Sequence, residues 1–135
     1  MLYDQGNYAK VYRKTKKLQK ESKYANSAPI TLFKALSEYQ LSKTKNKFTK
    51  AQAISTFKNY ISKDSTREYS LTYDIYIYDL QIGLVNSIRA LEKQKKSAEA
   101  KIKFDNYSNL FQHQVSYEEI TATEPIQNSK PNTEA

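Results

Sequence analysis

An all-α protein, a small helical bundle, is what this sequence predicts. Glycine and proline are scarce, apolar residues recur at helical spacing, and capping signals stand ahead of the periodic segments. The 135 residues include two Gly and three Pro. Hairpin-rich folds need residues that tolerate positive φ, and this chain hardly supplies them, whereas helices joined by short polar loops do not need them. The length suits one domain. With 39% hydrophobic residues and a mean hydropathy of −0.82, its core is expected to be modest.

The first helix is expected over residues 8–24. At about 100° per residue, Lys10, Arg13, Lys14, Lys17 and Lys20 share one third of the wheel, and Val11, Thr15, Leu18 and Ser22, flanked by Tyr8, lie roughly opposite. Its seven like charges, which include Lys16 and Lys23, repel, and two aliphatic side chains bury little area. Such a helix is marginal alone in water and should order against a partner. Asn26, Ser27 and Pro29 then signal the start of a second helix, running to about Thr44 and presenting Leu32, Phe33, Leu36, Tyr39 and Leu41. A polar loop over 42–48 adds Lys43, Lys45 and Lys47. Thr49-Lys-Ala-Gln52, which includes Lys50, fits a capping box. It opens a third helix with Ala53, Ile54, Phe57, Tyr60 and Ile61 on its inner face.

Ser65-Thr-Arg-Glu68 fits a second capping box and opens the longest periodic segment. Leu71, Ile75, Tyr78, Ile82 and Val85 form one row; Tyr73, Ile77, Leu80, Leu84, Ile88 and Leu91 form the next. Two adjacent rows make the wide apolar face of a central bundle helix, roughly 57 Å long if continued to Lys103. Residues 69–78 also alternate at period two and are rich in strand formers; the capping box and the unbroken period through Leu91 favour helix. Gly83 costs that helix about 1 kcal/mol relative to Ala. Phe104, Tyr107, Leu110 and Phe111 either continue it or turn back as a short helix. From Glu118 onward the composition is that of a disordered tail. The chain thus divides into a basic helical arm over 1–25, a helical bundle over 26–113 and a polar acidic tail over 114–135.

Charge follows the same division. Residues 1–50 carry 12 Lys+Arg against 3 Asp+Glu, whereas residues 104–135 carry 1 against 5, within a net charge of +8. The arm's lysines gather on one face, continue into the loop from Lys43 to Lys50, and leave the acids elsewhere. Contact with a polyanion accounts for all three features, because each cation that neutralises a phosphate releases counterions. Tyr39, Tyr60, Tyr73 and Tyr78 fall on apolar rows and read as packing; Tyr3, Tyr8, Tyr12 and Tyr24 stand beside lysines, where phosphate contact competes with packing.

Catalytic machinery is not visible, and no enzyme, cofactor or metal site is expected. The two glycines are isolated, so no phosphate-cradling loop exists. His113 is the sole histidine, which rules out a Ser-His-Asp arrangement or a two-His metal site within one chain. Absence of Cys removes disulfides, thiolate chemistry and Cys-based zinc sites. MLYDQGNYAKVYRK has no signal-peptide apolar region, and no stretch approaches the ~18 apolar residues of a membrane span.

In layout and composition, over most of the chain, the sequence resembles the coat proteins of archaeal filamentous viruses of the lipothrixvirus and rudivirus kind. The corresponding pieces are YAKVYRKTKKLQK within Tyr8–Tyr24 and the bundle from Ile30 to about Phe111. The resemblance implies that an N-terminal helical arm wraps double-stranded DNA while the bundle builds a filament with other coat subunits. Lys10, Arg13, Lys14, Lys17 and Lys20 would then meet phosphates and tyrosine-rich surfaces would meet neighbouring subunits, in a virion. Two other readings stand beside it. Residues 30–61 suit a helix-turn-helix accessory or regulatory protein of a plasmid or phage, acting in the host cytoplasm, although the loop is long and base readers are few beyond Gln52, Ser55, Lys58 and Asn59. The long helix also suits pairing with a partner helix in a protein that binds no nucleic acid.

Overall fold

The computed structural model describes residues 2–111 and 115–122. Over these residues the chain is all-helical: α1 Tyr8–Leu18, α2 Ala28–Ser42, α3 Lys50–Ser62, α4 Glu68–Thr72, α5 Asp74–Lys93, α6 Ser97–Phe111 and α7 Tyr117–Thr121. No strand occurs among the described residues, so residues 69–78 are helical with one break, at Tyr73. The chain forms two compact units, Met1–Asp74 and Ile75–Ala135.

In the first unit the basic segment is a packed helix and not a detached arm. Gly6 takes φ +75, a conformation that glycine adopts without steric cost, and its N–H bonds Tyr3 O at 3.1 Å. This turn leads Tyr3 back into the unit, where it is buried at 7% exposure and sets its ring edge-on to Phe33 at 5.6 Å and to Tyr8 at 5.0 Å. Val11 and Thr15 are buried as well, and α1 packs on α2. The helix ends at Leu18 and not at residue 24, with turns leading on to Ser27. Gln19 Nε2 and Lys63 Nζ both donate to Thr31 Oγ1, at 3.0 and 3.1 Å, which fastens this connection to α2 and to the end of α3.

α2 starts as expected: the Ser27 hydroxyl accepts from Ile30 N–H, and Pro29 stands in the first turn. Leu32, Leu36, Tyr39 and Leu41 are buried; so are Ala53, Phe57 and Tyr60 of α3, the helix that packs against α2. Thr49 caps α3 through Gln52 N–H at 3.0 Å. The other half of that box is not made, because the Gln52 side chain donates to the Glu38 carboxylate at 3.1 Å instead. Glu38 is fully buried; it also pairs with Lys34 at 3.5 Å, and its Oε1 has no partner.

The second expected box is replaced by a different cap. Arg67, at φ 59, precedes α4 and offers no side-chain cap; the buried Asp64 accepts from Glu68 N–H at 3.1 Å and Tyr69 N–H at 2.9 Å. Tyr60, with no exposed surface, donates its hydroxyl to Asp64 at 2.5 Å and lies 2.7 Å from Ser70 Oγ. Burial, with the Asp64 acceptor beside it, pushes the Tyr60 phenol up to about 12. Burial would raise the Asp64 carboxyl. The Tyr60 hydroxyl, the two N–H groups and the charge of Arg67 outweigh it and hold Asp64 below its ordinary value.

The long helix expected to run on to Lys103 is divided. Tyr73 separates α4 from α5, and α5 ends at Lys93. Lys95 takes φ 61, with Lys96 N–H bonding Leu91 O at 2.9 Å and Lys95 N–H bonding Glu92 O at 2.9 Å. This is a Schellman ending with Lys where Gly is usual. Replacing Lys95 by Gly relieves the left-handed strain of an L-residue and gives back part of the gain as unfolded-chain entropy. Lys95→Gly is expected to raise stability by about 0.5–1 kcal/mol, read from the urea midpoint.

The second unit has its own core of Val85, Ile88, Ala100, Tyr107 and Ile120, with Leu84, Leu91, Phe104 and Phe111 packed on it. Tyr107 and its neighbours thus belong to a helix that turns back, the second of the two expected alternatives. The first apolar row is buried only at Ile82 and Val85, while Leu71 and Ile75 are 78% and 75% exposed. Leu71 belongs to a separate helix, so its phase is lost at the break, and Ile75 stands in the first turn of α5. Residues 117–121 depart from the expected tail: Ser116 and Glu119 close a full capping box, and Ile120 is 4% exposed in the core, with Arg89 Nε donating to its carbonyl. His113, Glu124 and Glu134 lie outside the described residues.

Candidate nucleic-acid interface

The amphipathic pattern of α1 decides where its charges go. Burying Val11 and Thr15 turns Lys10, Arg13, Lys14, Lys16 and Lys17 to solvent, and all five are exposed. Lys16 and Lys17 occupy the last turn, where the carbonyl end of the helix favours cations and softens their mutual repulsion. Lys20 and Lys23 are exposed on the turns leading to α2. Lys43, Lys45 and Lys47 are exposed on the α2–α3 connection, and Lys50 is exposed as the first residue of α3.

An aromatic clasp joins two of these groups. Phe48, the one apolar residue between Lys43 and Thr49, is buried at 9% exposure and meets the Tyr12 ring edge-on, centroids 4.9 Å apart. Lys16 Nζ lies 5.7 Å from the centre of the Tyr12 ring, and Lys47 Nζ lies 5.7 Å from that of Phe48. Lysines from α1 and from the loop therefore flank one ring pair. The loop is held further by Lys45 N–H on Leu41 O at 2.8 Å and Phe48 N–H on Lys45 O at 3.1 Å, while Lys43 Nζ sits 5.0 Å over Tyr39. Edge-to-face pairs contribute about 0.5–1.5 kcal/mol beyond area burial. Phe48→Ala is expected to cost about 3 kcal/mol, visible in the melting transition. It should also free the loop lysines from α1 without removing a charge, since they lose their anchor.

Electrostatically the first unit is the basic one. Residues 1–74 carry 15 Lys+Arg and 6 Asp+Glu; residues 75–135 carry 7 and 8. Two of the six acids, Glu38 and Asp64, are buried, so the surface is more positive than the count. Ten of the eleven candidate residues are Lys, compact charges without the planar fork that reads guanine edges. Such charges suit pairing with an anion and offer little means of reading bases.

Tyr3, Tyr39, Tyr60 and Tyr107 are buried packing residues. None of the twelve tyrosines is fully exposed. Tyr3 and Tyr12, set beside lysines in the sequence, are engaged in ring pairs, and Tyr73 pairs with Phe33 at 4.9 Å. Sequence reasoning missed the clasp because Phe48 sits in a polar loop outside any period; its one signal was an aromatic side chain where the loop otherwise holds Lys, Thr and Asn.

Among the described residues, no group of three or more His, Asp or Glu is placed to hold a metal ion. No helix among them is long and apolar enough to cross a membrane. Comparison with protein-family models, with curated proteins and with solved structures returned no match.

Proposed function

We propose that this chain is a non-enzymatic structural protein that coats double-stranded DNA through the basic surface of α1 and the α2–α3 loop, and that it self-assembles along the duplex as a filamentous viral coat does. The observation that carries this reading is the Tyr12–Phe48 clasp, which sets the lysine-bearing loop against α1 through two rings 36 residues apart in sequence. A solvated lysine face alone would not require the loop to be pinned on the helix. The chain grips the backbone and leaves the bases unread, so it binds duplexes of any sequence with similar affinity.

Electron microscopy across a titration of linear duplex tests this reading. A regular coat that grows with protein-to-DNA ratio is expected. Isolated complexes at every ratio would overturn the coat. A second reading draws on the exposed Ser55, Lys58 and Asn59 of α3: a helix-turn-helix regulator, which would appear as strong preference for one operator. The connection over residues 43–49 is longer than the three or four residues usual in that motif.

A further inference from the structure

The turn before α1, α1 itself and α2 frame an open groove of about 300 Å³, walled by Leu2, Tyr3, Val11, Leu18 and Phe33, with the exposed Lys14 beside it as its one charged residue. The same unit carries a feature of opposite character on α4. Leu71 is 78% exposed, and the exposed carboxylates Glu68 and Asp74 stand three residues to either side of it. A single exposed Leu is ordinary. Here it is set between two acids on the more basic unit of the chain, which also offers an apolar groove with a cation at its edge. At 78% exposure, Leu71 does not occupy its own groove.

We propose that α4 of one copy docks in the α1 groove of the next. Leu71 enters between Leu18 and Phe33, and Glu68 and Asp74 face the cation at Lys14. The occupant is a second copy of this chain, chosen by charge complementarity between an acid-flanked apolar side chain and a basic-edged apolar groove. Knob and groove are different surfaces, so the contact can repeat head-to-tail from copy to copy, into a ring or an open filament. The inference rests on the assembly half of the proposed function. It also relocates the contact, from tyrosine-rich surfaces to an apolar groove and the knob that fits it. One side chain in one groove makes a weak contact in dilute solution, and it becomes effective when neighbours are held together on one duplex.

The chain has no Cys, which makes crosslinking clean. Leu71→Cys protein is mixed with Leu18→Cys protein and treated with a short bis-maleimide; Leu71→Cys with Ser55→Cys, on the exposed face of α3, is the control pair. Leu71 is mostly exposed and Leu18 half-buried, so the variants fold, and circular dichroism verifies that they do. The Leu71–Leu18 adduct is expected to exceed the control about ten-fold on saturated duplex, where neighbours are concentrated. The double variant should give a ladder of oligomers, and in concentrated free protein, where no phosphate engages Lys14, Lys14→Glu should lower the yield. Adduct at the control level, both on duplex and in concentrated free protein, would overturn the contact. If the adduct forms in free protein while no duplex is bound, the contact stands and the DNA reading fails.

Discussion

Replacing Asp64 by Ala is expected to cost about 3 kcal/mol or more, among the largest single-residue losses available in the first unit. The carboxylate accepts three hydrogen bonds, from the Tyr60 hydroxyl and from the N–H groups of Glu68 and Tyr69. Removing it leaves two N–H groups without their acceptor and the Tyr60 hydroxyl with Ser70 alone. The same site sets an acid limit. Asp64 is held below its ordinary value when folded, so the folded state binds fewer protons than the unfolded state once pH drops below about 4. Its contribution is therefore complete above the unfolded pKa and is lost as pH falls through the folded one. Asp64→Asn keeps the shape and one acceptor, cannot titrate, and should flatten stability against pH on the acid side. Urea midpoints at pH 7 and pH 3 check this; an unchanged acid slope in Asp64→Asn would assign the effect elsewhere.

Deleting residues 1–25 is the second large effect. The sequence reading treats this segment as a basic arm set apart from the bundle. The packing of Tyr3, Val11 and Thr15 makes it part of the first unit. Its removal should cost at least the ~3–5 kcal/mol of truncating one buried aromatic residue, and Tyr3→Ala alone should approach that figure. Cooperative unfolding of the first unit should weaken or vanish. A truncated chain that melts with the wild-type midpoint would show the segment to be an independent arm after all. Loss of DNA binding in such a truncation therefore says nothing about the lysines, and surface substitutions are needed to test them.

Much of the helical plan was legible because its signals are local. Ser27 with Pro29, and Thr49, mark two helix starts through chemistry confined to one turn. The break at Lys95 was not legible: the segment around it keeps good helix formers, and no Gly announces the left-handed residue. Asp64 was hidden for a similar reason. Ser65 and Glu68 satisfied the capping pattern on paper, while the true acceptor stood one residue earlier and owed its position to Tyr60, a tertiary partner. The last described helix was overlooked because composition was averaged over a long tail, although Ser116 and Glu119 carry the same box spacing as Thr49 and Gln52. For the candidate interface, the sequence located the charges and their shared face. It could not show that Phe48 folds the loop onto Tyr12, because that contact joins residues 36 apart.

The central claim is that α1 and the α2–α3 loop form one phosphate-gripping surface. Its most direct test compares salt dependence of duplex affinity in the wild type and in two fold-preserving variants: Lys10→Gln/Arg13→Gln/Lys14→Gln/Lys17→Gln, and Lys43→Gln/Lys45→Gln/Lys47→Gln. With about 5–7 phosphate contacts, log K against log salt should have a wild-type slope near −5 to −6, each lost contact making it shallower by about 0.9. The account predicts a shallower slope in both variants, with their circular dichroism unchanged. A loop variant with the wild-type slope would contradict the single surface, and a wild-type slope near zero would contradict phosphate binding altogether.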